Sequence, residues 1–195
     1  TRVSNRLVFS EPKKRSTKNK RKIYSDVLNS EIWFESQKEE ALDGSYCSFI
    51  YNDEVGKTPS PTDVNVRWSI QKECLAKGSS IVGKCMMTTT VEDMEKKGGA
   101  NFKKIWDKSD HTKKDELTGR TSSGLYRMFV PADYGYMGKH PKTGVPFVDE
   151  WGYSNRKAAK EYIEQKINQL HGSDRIEFRR KYPLYEDDMF LVDAS

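Results

Sequence analysis

The stretch Tyr46–Thr58, YCSFIYNDEVGKT, decides the fold prediction for this chain. Its apolar run from Cys47 to Tyr51 leads directly into two adjacent carboxylates, Asp53 and Glu54. A short apolar run that is bounded by turn signals predicts a buried β-strand. Because neighbouring carboxylates are costly to bury, we expect them at the carboxyl edge of a sheet, where α/β proteins bind ligands.

An apolar strand that ends in Asp-Glu has the form of a Walker B motif. In that interpretation Asp53 holds Mg²⁺ through water beside a nucleoside triphosphate. Glu54 then polarises the attacking water as the general base. The competing interpretation is a strand that ends in an ordinary acidic turn, and these two residues alone leave both interpretations open.

Apolar periodicity and cap signals predict further elements along the chain. The predicted strands are residues 31–36, 81–90 and 123–133, and the predicted helices are residues 64–77, 101–108, 155–170 and 173–181. The run Thr90–Asp93 has the capping-box pattern and predicts one more helix start. This alternation of strands and helices is typical of an α/β fold with a mostly parallel sheet.

Three threonines, Thr88, Thr89 and Thr90, end the predicted strand that follows the acid pair, with one helix between the two strands. Parallel strands end at the same edge of a sheet, so these hydroxyls are expected beside the carboxylates. There they can hydrogen-bond to a γ-phosphate or to the attacking water. The competing interpretation is a helix cap at Thr90 with two threonines that have no chemical role.

The run Val55–Thr58, VGKT, has the letters that end a phosphate-binding loop, but we reject that function. Such a loop needs a glycine at position 51, where this chain has Tyr51. No G-x-x-x-x-G-K-[ST] motif occurs anywhere in the sequence.

A basic cluster near the N-terminus dominates the charge distribution of this chain, whose formal net charge is +5. Its members are Lys13, Lys14, Arg15, Lys18, Lys20, Arg21 and Lys22. A nucleic-acid backbone is one partner for such a cluster, and a solvated loop is the equally weighted alternative.

Composition argues against several classes of protein. No apolar run approaches the roughly 20 residues of a membrane span, and the first residues lack the apolar core of a secretory signal. The cysteines Cys47, Cys74 and Cys85 have no paired spacing, which favours a reducing cytoplasm and neither a zinc site nor a disulfide framework.

Several short motifs, taken in order, resemble the large terminase subunit of tailed bacteriophages. They are IWFES (32–36), ALDG (41–44), FIYNDE (49–54), CMMTTTVEDM (85–94), GRTSSGLYRMFVPA (119–132) and KYPLYEDDMF (181–190). The likeness extends over about Ile32–Phe190, and it lies in the order and spacing of the motifs together.

The resemblance implies an ATP-hydrolysing motor that translocates viral double-stranded DNA into a procapsid. It implies a RecA-type, mostly parallel sheet of the additional-strand class of P-loop NTPases, followed by a small, mainly helical subdomain. Asp53 would be the metal residue, Glu54 the catalytic glutamate, and Thr88, Thr89 and Thr90 the coupling motif. The implied cofactors are ATP and Mg²⁺. The implied partners are the portal, the small terminase subunit and further copies in a ring, at the portal in the bacterial cytoplasm.

The chain departs from the family pattern because it has neither the Walker A motif nor the nuclease domain. We therefore expect the later part of an ATPase domain, with a sheet that is incomplete at its N-terminal side and no activity in isolation. Residues 1–133 would be the partial core, and 134–195 the second subdomain and a linker. Two alternatives stay open: a non-catalytic module of the same fold that binds nucleic acid or a protein, and another additional-strand ATPase such as a helicase.

Overall fold

The computed structural model describes residues 22–25, 30–36, 38–58, 61–90 and 98–192, with the backbone alone for 22–25. Two predictions lie outside these residues. They are the basic cluster, of which only the backbone of Lys22 is described, and the helix that the capping box at Thr90–Asp93 predicts.

The described part of the chain is a mixed α/β structure with four α-helices and three two-stranded sheets. The helices are α1 Val64–Gln71, α2 Gly99–Asp107, α3 Arg156–Gln169 and α4 Gly172–Lys181. The strands are β1 Lys22–Ser25, β2 Ser30–Trp33, β3 Phe49–Asn52, β4 Ala76–Lys77, β5 Ser80–Ile81 and β6 Lys84–Met87.

The parallel pair β3–β6 positions the acid pair. Ile50 lies opposite Cys85 and Asn52 opposite Met87, and helix α1 lies between the two strands in the chain, as parallel pairing requires. Backbone hydrogen bonds continue past the strands, from Thr88 N to the carbonyl of Asn52 at 2.9 Å. The α/β prediction is confirmed, but the described residues contain a parallel sheet of two strands only.

The first predicted strand, residues 31–36, is present as β2, but it pairs with β1 in an antiparallel sheet. The predicted strand 81–90 is shorter than expected and divides into β5 and β6. Between these two strands lies Gly83, where a Cβ atom would sit 2.5 Å from the carbonyl oxygen of Cys47. Only glycine allows this close backbone approach.

Helix α1 ends at Gln71, six residues before the predicted end. Asp63 caps its start by accepting a hydrogen bond from Asn65 N at 2.7 Å. After the helix the backbone bonds to distant segments, since the carbonyl of Cys74 accepts from Cys47 N. Gly78, with φ of 59°, makes the β4–β5 turn and is not a helix C-cap.

The prediction of a strand at residues 123–133 is wrong. The residues from Gly124 to Val130 do alternate between exposed and half-buried positions, which explains why the sequence predicts a strand here. The backbone, however, bonds to loops, from Arg127 N to the carbonyl of Ser109 and from Ala132 N to that of Pro183. Alternation marks an extended chain with one face inward, whereas a strand also needs a partner strand.

The C-terminal helices confirm the sequence prediction closely. Asn155 caps α3 by accepting from Ala158 N, and α4 starts one residue before the predicted position. Helix α2 starts two residues earlier than predicted, because Gly98 adopts φ of 78° as its N-cap. Gly98 and Gly99 therefore begin this helix, as its N-cap and its first helical residue.

Two clusters of buried apolar side chains form the core. The first lies around β3, α1 and α2 and contains Ile50, Val55, Val64, Trp68, Cys74, Leu75, Phe102, Ile105, Trp106 and Met189. The second lies around α3 and contains Ile163, Ile167 and Leu184, with Ala132 and Tyr136 packed against it. The C-terminal segment joins the clusters, and the domain division after residue 133 stays a prediction.

A buried amide pair joins the end of β3 to α1. Asn52 Nδ2 donates to Gln71 Oε1 at 2.8 Å, and Gln71 Nε2 donates back to Asn52 Oδ1 at 3.2 Å. Buried polar groups need such partners. The reciprocal pair therefore fixes the strand end that is adjacent to Asp53.

Gly83→Ala tests the close approach of the chain before β6. The new Cβ would meet the carbonyl oxygen of Cys47 at 2.5 Å and Leu75 Cδ2 at 2.6 Å. We expect a loss of about 1–3 kcal/mol in the free energy of unfolding, because the backbone cannot move away cheaply. Urea unfolding measures this, with Ser79→Ala, on an exposed turn residue, as the control. Equal midpoints for both variants would contradict the close approach.

Candidate functional site

Asp53 lies directly after β3, and three donors contact one of its carboxylate oxygens. Thr88 Oγ1 donates to Oδ1 at 2.8 Å, the hydroxyl of Tyr51 at 3.2 Å and Glu54 N at 3.1 Å. Among the described residues, none donates to Oδ2. The hydrogen bond from Thr88 is the main cause that lowers the pKa of Asp53. Desolvation opposes this shift, and the hydrogen bonds from Tyr51 and Glu54 N add to it.

Glu54 is the one non-glycine residue with a positive φ, 51°, in the described part of the chain. Its Oε2 is contacted by Thr89 Oγ1 at 3.4 Å and by both the N–H and the hydroxyl of Thr90 at 3.3 Å. Lys57 Nζ lies 3.2 Å from the same oxygen. A non-glycine residue in this left-handed conformation costs about 1–3 kcal/mol, and such strain clusters at functional sites.

The three threonines therefore meet both carboxylates, as the sequence predicts for neighbouring ends of parallel strands. Thr88 contacts Asp53, whereas Thr89 and Thr90 contact Glu54. The threonine contacts join strand ends that lie 35 residues apart in the sequence. They are possible only because β3 and β6 are adjacent and parallel.

The VGKT run forms a 3₁₀ turn, Val55–Lys57, whose N–H groups are engaged within the fold. Val55 N donates to the carbonyl of Thr88, Gly56 N to Thr89 Oγ1, Lys57 N to the carbonyl of Glu54 and Thr58 N to that of Val55. A phosphate-binding loop presents free N–H groups to the anion. This turn has none to offer, which agrees with its rejection as a phosphate loop.

Other charged groups have structural partners away from this edge. Asp188 is buried, and its carboxylate accepts from Arg179 and from Leu184 N and Tyr185 N. Arg127 lies between Asp110 and Glu186, at 3.3 and 3.4 Å. These contacts brace the C-terminal segment and bring no further carboxylate to Asp53.

Sequence reasoning missed Tyr51 and Lys57. Tyr51 is two residues before Asp53 on an extended strand, so the two side chains point to the same face. That spacing was the available signal for Tyr51. The Lys57–Glu54 contact depends on the tight turn at Val55–Lys57 and has no comparable signal in the sequence.

Within the described ranges, no group of three or more His, Cys, Asp or Glu side chains is placed to hold a metal ion. In the same residues, no helix has both the length and the apolar character that crossing a membrane requires.

Comparison of this chain with protein-family models, with characterised proteins and with solved structures finds no match.

Asp53→Asn tests the hydrogen bonds around Asp53 through the pH dependence of stability. Because the folded-state pKa is lowered, the stabilisation is complete above the unfolded-state pKa of an aspartate, about 3.9. It is lost as the pH falls through the lower folded-state pKa. We therefore expect wild type to exceed the variant in unfolding free energy near neutral pH, with the difference shrinking below about pH 4.

Asp187→Asn is the matched control, since Asp187 is exposed and its carboxylate accepts no hydrogen bond from a described residue. Urea unfolding from pH 7 downward measures both variants. A difference between wild type and Asp53→Asn that does not change with pH would contradict the hydrogen bonds to Oδ1.

Proposed function

We propose that this chain supplies the metal-binding and water-activating half of a nucleoside triphosphate hydrolysis site in a DNA-translocating motor. The observation that supports the proposal is the cluster at the carboxyl edge of the parallel pair. There Asp53 and Glu54 follow β3 and are held by Thr88, Thr89 and Thr90 from the end of β6. Ligands of α/β proteins bind at this edge.

The residues present fit a magnesium ion that is shared with phosphates. Asp53 is exposed, and its Oδ2 accepts no hydrogen bond from a described residue. Mg²⁺ is held in nucleotide sites by one or two carboxylates together with waters and phosphate oxygens, so a full protein ligand set is not needed. When bound, the ion neutralises charge on the transferring phosphoryl group.

Glu54 is the residue that we assign to the attacking water. Its side chain remains 39% exposed, so a water molecule can reach the carboxylate. The hydroxyl and N–H of Thr90 orient Oε2, and a general base must be held within hydrogen-bond reach of the proton that it accepts. Thr89 contacts both Glu54 and Gly56 N, so a movement of the Glu54 carboxylate would also move the turn Val55–Lys57.

The phosphate-binding element must come from another segment, because the N–H groups of the VGKT turn are engaged. The resemblance to large terminase subunits supplies the rest of the proposal. From this resemblance we propose a RecA-type sheet, with ATP as the nucleotide and double-stranded DNA as the translocated substrate. The proposed partners are further subunits in a ring at the portal and the small terminase subunit.

A non-catalytic module is the second candidate function, and the contact between Lys57 and Glu54 favours it. The ammonium lies 3.2 Å from Oε2, which is the oxygen that the threonines also contact. A carboxylate that is engaged in this way can serve to hold the turn after β3 and need not act on water.

Glu54→Gln separates these two functions in the full-length protein. The amide keeps the shape of the side chain but cannot accept a proton, so we expect kcat for Mg²⁺-dependent ATP hydrolysis to fall by about 10²–10⁴-fold. Nucleotide affinity should remain close to that of the wild type. Release of inorganic phosphate measures the first quantity, and equilibrium titration with ATP measures the second.

Glu116→Gln is the matched control, because Glu116 lies in an exposed loop away from the cluster. Hydrolysis at the wild-type rate in Glu54→Gln would show that Glu54 is not the general base. A wild-type protein that binds no Mg²⁺-ATP would favour the non-catalytic module.

Neutralising the basic cluster tests whether it contacts DNA. Each residue that neutralises a phosphate contributes about 0.9 to the slope of log affinity against log salt concentration. We expect replacement of Lys13 and Lys14 by Gln to reduce that slope. Lys139→Gln with Lys142→Gln, two exposed lysines of a separate loop, is the control pair. An unchanged slope in the first pair would leave the cluster without a DNA contact.

A further inference from the structure

Tyr51 contacts the two polar groups that lie at the ends of the parallel strands. Its hydroxyl is 2.8 Å from Thr88 Oγ1 and 3.2 Å from Asp53 Oδ1, while Thr88 Oγ1 is 2.8 Å from the same oxygen of Asp53. The three groups thus form a closed triangle, in which each hydroxyl has one proton to donate to either of its two neighbours. We propose that Tyr51 is a positioning residue of this site, which fixes Asp53 so that Oδ2 alone is presented to a divalent cation. The inference rests on the function proposed above.

Strand geometry places these three side chains together. Tyr51 and Asp53 are two residues apart, so they lie on one face of the extended chain. Tyr51 is opposite Met86 in the parallel register, and Thr88 follows Met86 by two residues on the neighbouring strand. The length of the tyrosine side chain lets its hydroxyl reach both partners at the strand end.

The hydrogen bonds distinguish the two oxygens of the Asp53 carboxylate. Oδ1 accepts from Tyr51, Thr88 and Glu54 N. A carboxylate has about four lone-pair sites over its two oxygens, so three donors leave Oδ1 little capacity for a further ligand. Oδ2, which accepts no hydrogen bond from a described residue, keeps its full capacity for a cation.

The same contacts reach the second carboxylate of the site. Glu54 N donates to Asp53 Oδ1, and Glu54 adopts the left-handed backbone conformation with φ of 51°. An Asp53 side chain that is fixed by Tyr51 and Thr88 therefore supports the strained backbone that aims Glu54. One hydroxyl on β3 thus contributes to the geometry of both acids.

Burial does not explain why tyrosine occupies this position. The side chain is 53% exposed, and Tyr51 is absent from both buried clusters. An exposed ring contributes little to packing, and phenylalanine would fill the same space. The hydroxyl with its two partners is therefore the part of the side chain that the site uses.

Mn²⁺ together with a non-hydrolysable ATP analogue is the probe for the test. The analogue supplies the phosphate oxygens that share the ion, and the bound ion can be followed by electron paramagnetic resonance without turnover. The protein is the full-length chain, compared with its Tyr51→Phe and Asp53→Asn variants. We expect Tyr51→Phe to weaken Mn²⁺ binding roughly two- to tenfold, the effect of one lost hydrogen bond. Asp53→Asn should remove the site. The urea midpoint of Tyr51→Phe should fall by no more than the loss of one hydrogen bond explains.

Tyr46→Phe is the matched control, since Tyr46 is 75% exposed and lies five residues earlier in the same segment. It should bind Mn²⁺ as the wild type does. A second pair of variants acts on the other corner of the triangle: Thr88→Ser keeps the hydroxyl and should keep the affinity, whereas Thr88→Val should lose it to a similar extent. This pair tests whether the hydroxyls around Oδ1 set the affinity, with the ring at position 51 left in place.

The outcomes separate this inference from the function on which it rests. If Asp53→Asn removes Mn²⁺ binding but Tyr51→Phe leaves the affinity unchanged, the positioning role of Tyr51 is overturned and the metal assignment stands. If the wild type binds no Mn²⁺, or Asp53→Asn binds it equally well, the metal assignment itself fails and the role of Tyr51 fails with it. A lower urea midpoint in Tyr51→Phe with unchanged affinity would assign the hydroxyl to stability instead.

Discussion

The parallel pairing of β3 with β6 is the interaction on which the candidate site depends. It sets Asn52 opposite Met87, so the residues that follow each strand, Asp53 and Thr88, emerge side by side. Asp53 and Thr88 lie 35 residues apart in the sequence, and without this pairing the carboxylates and the hydroxyls would share no contact. The cluster at this edge is thus a consequence of strand register.

Several local features of the chain keep the two strands in that register. Gly83 lets the chain before β6 pass within contact distance of the Cys47 backbone, and the buried Asn52–Gln71 amide pair fixes the end of β3 to α1. Beyond the strands, Thr89 Oγ1 accepts from Gly56 N, where any larger residue would clash with the same hydroxyl. Thr89 therefore holds the turn Val55–Lys57 in addition to contacting Glu54.

The C-terminal part of the chain contributes to the core without contributing to the site. Met189 and Phe190 pack on the first cluster, and Glu186 accepts a hydrogen bond from the Trp106 indole at 2.9 Å. The long loop before α3 is held by isolated bridges such as Val148–Ser154. These contacts explain how the acidic, aromatic segment 182–192 packs on the core, with its carboxylates away from Asp53.

Local sequence signals were sufficient for the helices α3 and α4, for the position of the apolar strand that precedes Asp53, and for the expectation that three threonines meet the acid pair. The helices and the strand depend on periodicity and on caps, which neighbouring residues determine, whereas the threonine contacts follow from the expected order of parallel strands. The tertiary structure decided the early end of α1, the absence of a strand at residues 123–133 and the contacts of Tyr51 and Lys57. In these cases backbone and side-chain hydrogen bonds are satisfied by segments that are distant in sequence or by a tight turn, and the free energy of those contacts outweighs local propensity.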